Sequence, residues 1–142
     1  VDDPALVPDA IEEILRYNPA VIAFRRTAME DVELGGQQIS KGDKIELFYG
    51  AACADEAVFA DSDSFDITRN QREDVRTEHR AFGVRQHFCM GSHLARLELL
   101  VIFEEITRRI RNPRLNGEIN WLRSNFINGI KAMPIAFDVA PD

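Results

Sequence analysis

The hydrophobic positions of this chain change period several times, and each change marks an element. Ile11, Ile14 and Leu15 recur at helical spacing between Pro8-Asp9 and Asn18-Pro19, which predicts a short helix over 10–17. Asp9 stands where a cap belongs, with Glu12 placed to complete a capping box, and the proline ends the helix. The chain is apolar over 20–24 and then basic at Arg25-Arg26. Gly35-Gly36 centres a hairpin over 31–39, and 44–49 alternates like a strand behind the turn Lys41-Gly42-Asp43. Residues 51–59 read as a second short helix. Residues 61–80 are polar and nearly aperiodic, a loop long enough to suggest function, with His79 expected to be exposed at its end. The strongest pattern covers 94–110. Leu94, Leu97, Val101 and Ile110 share one side, and Leu99 to Phe103 make its middle apolar nearly all round, as in a helix buried within a larger protein. Asn112-Pro113 stops it, and 133–139 alternates as a final strand. The elements make an α+β chain, mainly helical.

Composition narrows the function classes. The chain has 142 residues, 45% hydrophobic and 29% charged, the make-up of one globular unit. A formal net charge of −7 argues against a nucleic-acid or anionic-membrane partner. Two cysteines, Cys53 and Cys89, make no disulfide framework, and a reducing cytoplasmic setting is expected. No apolar run reaches the roughly 18 residues of a membrane span. The chain begins at Val1 without methionine, which is read as the mark of a fragment.

The chemistry concentrates in Phe82-Gly83-Val84-Arg85-Gln86-His87-Phe88-Cys89-Met90-Gly91. This segment is apolar and aromatic, carries one thiol, and runs directly into the long helix. A thiol just before a helix N-terminus faces the positive end of the helix dipole and the unpaired first-turn N–H groups, and both favour thiolate. A thiolate in an apolar loop suits a soft metal centre, and a cysteine thiolate is one of the few ways proteins hold haem iron. The plain alternative is a buried free cysteine.

Phe82, His87, Cys89 and Gly91 resemble the cysteine ligand loop of the cytochrome P450 family, and the Ser92-His93-Leu94-Ala95-Arg96-Leu97-Glu98 run resembles the segment that follows it. The resemblance implies haem b (iron protoporphyrin IX) with Cys89 as its thiolate ligand, His87 at a haem propionate, Phe82 and Gly83 in the loop, and Gly91 letting the helix start close under the ring. Arg85 stands where the family has glycine, and a side chain there is expected to crowd the ring. Glu13 and Arg16 match the family's E-x-x-R spacing. By itself that spacing is most often a solvated ion pair. The resemblance instead implies a buried cluster with Arg69, which lies in a segment (Phe65-Asp66-Ile67-Thr68-Arg69) like the family's later F-D-x-x-R. Arg26, in a run like the family's R-x-A strand, would meet the other propionate, its planar guanidinium suiting a carboxylate. Val21, Ile22 and Ala23, with Phe126 and Ile127, would line the substrate side.

Residues 1–142 thus resemble the C-terminal part of a single cytochrome P450 domain, and the family's long central helix with its oxygen-activating acid–alcohol pair is not represented. The function implied is that of a monooxygenase portion that hydroxylates a hydrophobic small molecule, a steroid or a fatty acid, with O2 and electrons from a ferredoxin and ferredoxin reductase; by itself the chain is expected to be inactive. Two other readings stand beside it. One is a haem-poor remnant that only packs. The other is a structural zinc module built from Cys53, His79, His87, Cys89 and His93, whose spacing is not that of a usual finger.

Overall fold

A computed structural model describes residues 3–140. After a 3-10 turn, helix α1 (Val7–Tyr17) carries Pro8 in its first turn, where a missing N–H is harmless, and ends with the Asn18 N–H on the Ile14 carbonyl. Two features of the expected helix start differ. The helix begins at Val7, and Asp9 does not cap it. The Asp9 carboxylate instead accepts from the Asn70 amide at 2.8 Å, tying α1 to the distant loop. The buried face of α1 is also not its apolar stripe alone: Val7 and Ile11 are buried together with Glu12, Glu13 and Arg16, while Ile14 and Leu15 are half-buried.

Strand β1 (Ala23–Thr27) pairs antiparallel with β4 (Lys44–Phe48), in a register that sets Arg26 opposite Ile45. Between them, β2 (Val32–Leu34) and β3 (Gln37–Ile39) form the expected hairpin, with Gly35 and Gly36 at φ 57° and 78°, a region glycine enters without penalty. Helix α2 spans only Tyr49–Cys53, not 51–59. Asp55 ends it: its carboxylate takes the Ala57 N–H and its carbonyl the Val58 and Phe59 N–H groups, so a turn replaces the helix.

The long polar segment is more ordered than its pattern predicts. It contains a 3-10 turn at Arg69–Gln71 and helix α3 (Val75–Glu78), capped by the Asp74 side chain on the Thr77 N–H. Helix α4 (Ser92–Arg109) runs into β5 (Ile110–Leu115), which pairs with the final strand β8 (Ile135–Val139). A smaller pair, β6 (Asn120–Trp121) and β7 (Ile130–Ala132), closes the C-terminal region. The core gathers Val7 and Ile11 of α1, Tyr49 and Cys53 of α2, then Phe59, Val75 and Ala81. Leu94, Leu97, Val101, Ile102 and Ile106 of α4 are exposed, so this helix packs α1 with one side and leaves an apolar side uncovered among the described residues. No described helix is long and apolar enough to cross a membrane.

Candidate functional site

The segment before α4 folds back on itself. The Cys89 N–H donates to the Phe82 carbonyl at 2.9 Å, the Gly83 N–H to the Arg80 carbonyl, and the Ser92 N–H to the Cys89 carbonyl. These bonds fix Cys89 between a closed loop and the first turn of α4. Its thiol is exposed, and Met90 beside it is 98% exposed. The buried cysteine is the other one. Cys53 is enclosed, its thiol accepts the Arg80 N–H at 3.3 Å, and burial pushes its pKa up despite that bond, which makes it an inert packing residue.

A concavity of about 1030 Å³ lies beside the loop, bounded by Arg26, Phe48, Tyr49, Gly83, Arg85 and His87. Arg26 and His87 come from β1 and from the loop, so the pairing of β1 with β4 is what brings a strand arginine to the same cavity as the histidine. Gly83 sits at φ 74°, and a Cβ there would lie 3.1 Å from the Tyr49 hydroxyl, so the loop can approach α2 this closely only with glycine. At Gly91 a Cβ would lie 3.8 Å from the Cys89 sulfur, against the very atom the loop presents.

The segments named as a substrate wall also meet. Ile22 donates its N–H to the Phe126 carbonyl at 2.9 Å, Val21 bridges Ile127, and the Phe24 ring stacks edge-on to Phe126 at 5.2 Å. Ala23 follows as the first residue of β1.

Beneath the site lie two buried charge clusters that share one helical turn. Glu13 is 0% exposed, and Arg16 and Arg69 are each 1% exposed. Arg16 grips both oxygens of Glu13 at 2.8 Å, and Arg69 approaches Oε1 at 3.3 Å. The Asp66 N–H adds a bond at 3.0 Å to the same oxygen. The guanidiniums spend their remaining donors mostly on carbonyls of α2, the polar loop and its approach: Arg16 on Cys53, Ser62 and Ser64, Arg69 on Ala60, Asp61 and Ser64, with Arg69 also reaching the Glu73 carboxylate at 3.4 Å. Burial alone would raise the Glu13 pKa, but these donors hold it below the ordinary 4.5. The cluster is therefore a clamp on the long loop, and the loop's order follows from it.

The second cluster was not legible beforehand. Glu12 is 4% exposed and binds Arg96 of α4 through both oxygens, at 2.7 and 2.9 Å, and His79 at 3.1 Å. Burial raises its pKa, yet the His79 and Arg96 bonds outweigh that and hold it at about 2. His79 is not exposed as its polar neighbourhood predicts. It is 4% exposed because Glu12 and the Ala81 N–H occupy its two ring nitrogens. The available signals were the doubled Glu12-Glu13 and the lone arginine in the second turn of α4. Neither identifies its partner.

No three His, Cys, Asp or Glu side chains converge as a metal set among the described residues, so the zinc reading lacks a ligand cluster. The residues present do fit haem: a presented thiol for the iron, Arg26 and the His87 imidazole on one cavity as donors for the propionates, and a glycine at Gly83 where the loop meets Tyr49.

The backbone at Arg85 has φ 53°, the left-handed region that the family's glycine occupies freely. A non-glycine residue there costs about 1–2 kcal/mol. Arg85→Gly is expected to relieve that strain, to raise the stability of the loop by about 1 kcal/mol, and to retain haem longer in a transfer assay to an excess of haem acceptor. Faster haem loss would mean that the guanidinium itself helps hold the cofactor.

The model of the family described as "Cytochrome P450" matches residues 4–112. The chain belongs to the cytochrome P450 family. Linalool 8-monooxygenase of Pseudomonas putida is 43% identical over 132 residues, covering 93% of this chain and 31% of that protein. Steroid C26-monooxygenase of Mycobacterium tuberculosis is 39% identical over 142 residues, 98% of this chain and 34% of the relative. The solved structure of cytochrome P450-153 from Novosphingobium aromaticivorans superposes with a TM-score of 0.88 at 37% identity, over 96% of this chain and 34% of that one. The chain thus spans about a third of the length of the relatives it matches, and its mixed helix-and-strand architecture is a partial cytochrome P450 fold. Membership implies haem b as the cofactor.

Proposed function

We propose that these residues form the haem-binding C-terminal part of a cytochrome P450 monooxygenase acting on a hydrophobic small molecule. The observation that carries this is the exposed Cys89 thiol on a hydrogen-bonded loop beside a cavity shared by Arg26 and His87. Cys89, at the N-terminus of α4, serves as the thiolate ligand to haem iron. Arg26 and His87 answer the two propionates, and Phe82, Gly83 and Gly91 shape the loop beneath the ring. When bound, haem supplies the oxidation itself, inserting oxygen from O2 into a C–H bond with electrons from a ferredoxin and its reductase. Val21, Ile22, Ala23, Phe126 and Ile127 form an apolar wall that orients substrate and excludes water. The relatives' names, for linalool, a steroid and methyl-branched lipids, support an apolar substrate of that kind, steroid or fatty acid included. The unpaired thiols of Cys53 and Cys89 fit a reducing cytoplasm.

The test supplies a haem-loaded full-length protein that contains these residues with ferredoxin, reductase, isotopically labelled O2 and a panel of terpenoids, steroids and fatty acids. Labelled hydroxylated product is expected, and protein that binds haem but oxidises nothing on the panel would overturn the reading. Residues 1–142 by themselves are expected to give no product, since the exposed Cys89 leaves the site open to water. Turnover by the isolated chain that depends on Cys89 would show that it is self-sufficient.

A further inference from the structure

Adjacent glutamates on one helix lead to different destinations. Glu13 holds the polar loop. Glu12 reaches the other way, toward the ligand loop, and all its bonds converge on one ring. Arg96, gripped by Glu12, places its guanidinium 4.7 Å from the centre of the Phe82 ring. His79, held by the same carboxylate, stands with its ring 6.0 Å from Phe82. Phe88 also meets Phe82, edge-on with ring centres 6.3 Å apart. The His79 Nδ1 accepts the Ala81 N–H at 3.2 Å, which leaves Nε2 to carry the proton and donate to Glu12. Phe82 is the residue whose carbonyl accepts the Cys89 N–H. One chain of contacts therefore runs from Glu12 through Arg96 and His79 to Phe82, and through its carbonyl to the ligand residue.

We propose that Glu12, His79 and Arg96 are positioning residues for the thiolate: they clamp Phe82 and so set the place and hydrogen bonding of Cys89. This rests on the reading of Cys89 as the haem ligand. A cation on a ring face is directional in a way that packing is not. The bidentate fork fixes the plane of Arg96, and the other nearby cation, Arg76, is exposed and stays 3.9 Å from the carboxylate, so Arg96 and His79 carry the pairing. The clamp also joins α1, the end of the polar loop and α4 at a point directly under the ligand loop. The thiol itself is exposed, so its position depends on what holds the loop from beneath.

The test uses Glu12→Gln and Arg96→Lys, the second keeping the cation but losing the fork, with Phe59→Leu as a control that loosens the core on the other cluster, where the ring lies 5.4 Å from the Arg16 guanidinium. Two readouts are compared at matched melting temperature. The first is the lifetime of the strongly red-shifted band of thiolate haem in reduced, carbon monoxide-bound protein. The second is amide exchange of the Cys89 N–H in haem-free protein, referred to the Asp66 N–H, which Glu13 holds. Both clamp variants should shorten the band lifetime and speed Cys89 exchange by about tenfold, the loss of roughly one buried charge-assisted bond, while Phe59→Leu and Asp66 exchange change little by comparison. Equal effects in the control and the clamp variants would overturn the proposal, as would band loss without faster Cys89 exchange. If the parent protein lacks the thiolate band, it is the ligand assignment that fails, and Cys89 exchange still decides whether the clamp holds the loop.

Discussion

Cys89→Ala removes the thiolate band altogether. The loop presents one thiol, exposed and hydrogen-bonded into place through its backbone, and Cys53 lies buried with its thiol occupied by the Arg80 N–H. No second thiolate stands on the loop, and the exposed Met90 thioether beside it would not give a thiolate band. Alanine keeps the Cys89 N–H bond to Phe82 and the start of α4, because neither uses the side chain, so the fold should survive while iron ligation is lost. Carbon monoxide difference spectra of the reduced haem-loaded protein, with circular dichroism as a check on folding, measure both. Persistence of the thiolate band in the alanine variant would mean that another group ligates the iron.

The second large effect is expected at Glu13. Its carboxylate is fully buried between Arg16 and Arg69, and removing it leaves the buried Arg16 without an anion and the buried Arg69 with only Glu73, at 3.4 Å. Breaking such a set from one side costs about 3–5 kcal/mol. Glu105 makes a useful contrast: its contacts to Arg108 at 2.7 Å and Arg109 at 2.6 Å are shorter than that to Arg69, yet all three side chains are exposed. Glu105→Ala should therefore leave stability nearly unchanged. Burial, not distance, decides the ranking, and urea denaturation of the two variants measures it. A near-zero effect at Glu13 would dissolve the triad. The same charges set the acid limb of stability. Burial pushes both carboxyls up, but their hydrogen bonds to arginine, and to His79 for Glu12, hold Glu12 at about 2 and Glu13 below the ordinary 4.5. The unfolded chain then binds more protons than the folded one in acid. Their contribution is complete above about 4.5 and is lost as pH falls through the folded values. Glu12→Gln should flatten part of that loss.

Local chemistry made the frame legible in the sequence. Asn18-Pro19 ends α1, Gly35-Gly36 turns the first hairpin, and a helical repeat marks α4, because in each case the signal and its cause lie within a few residues. The loop from Phe82 to Gly91 was legible for the same reason, since thiol, glycine and helix start are contiguous. Helix ends chosen by competition were less so: α2 stops at Cys53 because Asp55 builds a turn, a contest that periodicity does not weigh. Partner choice across the chain was decided only by the tertiary structure. Glu12 looked like the second half of a capping box. It is instead the anchor of a buried node, because packing α1 against α4 brings Arg96 within 2.7 Å and the end of the polar loop delivers His79 at 3.1 Å. His79 likewise reads as a surface residue among charges, yet it is buried because two hydrogen-bond partners meet it there. A carboxylate carries its charge in the sequence, but which cations answer it is settled by where the fold excludes water.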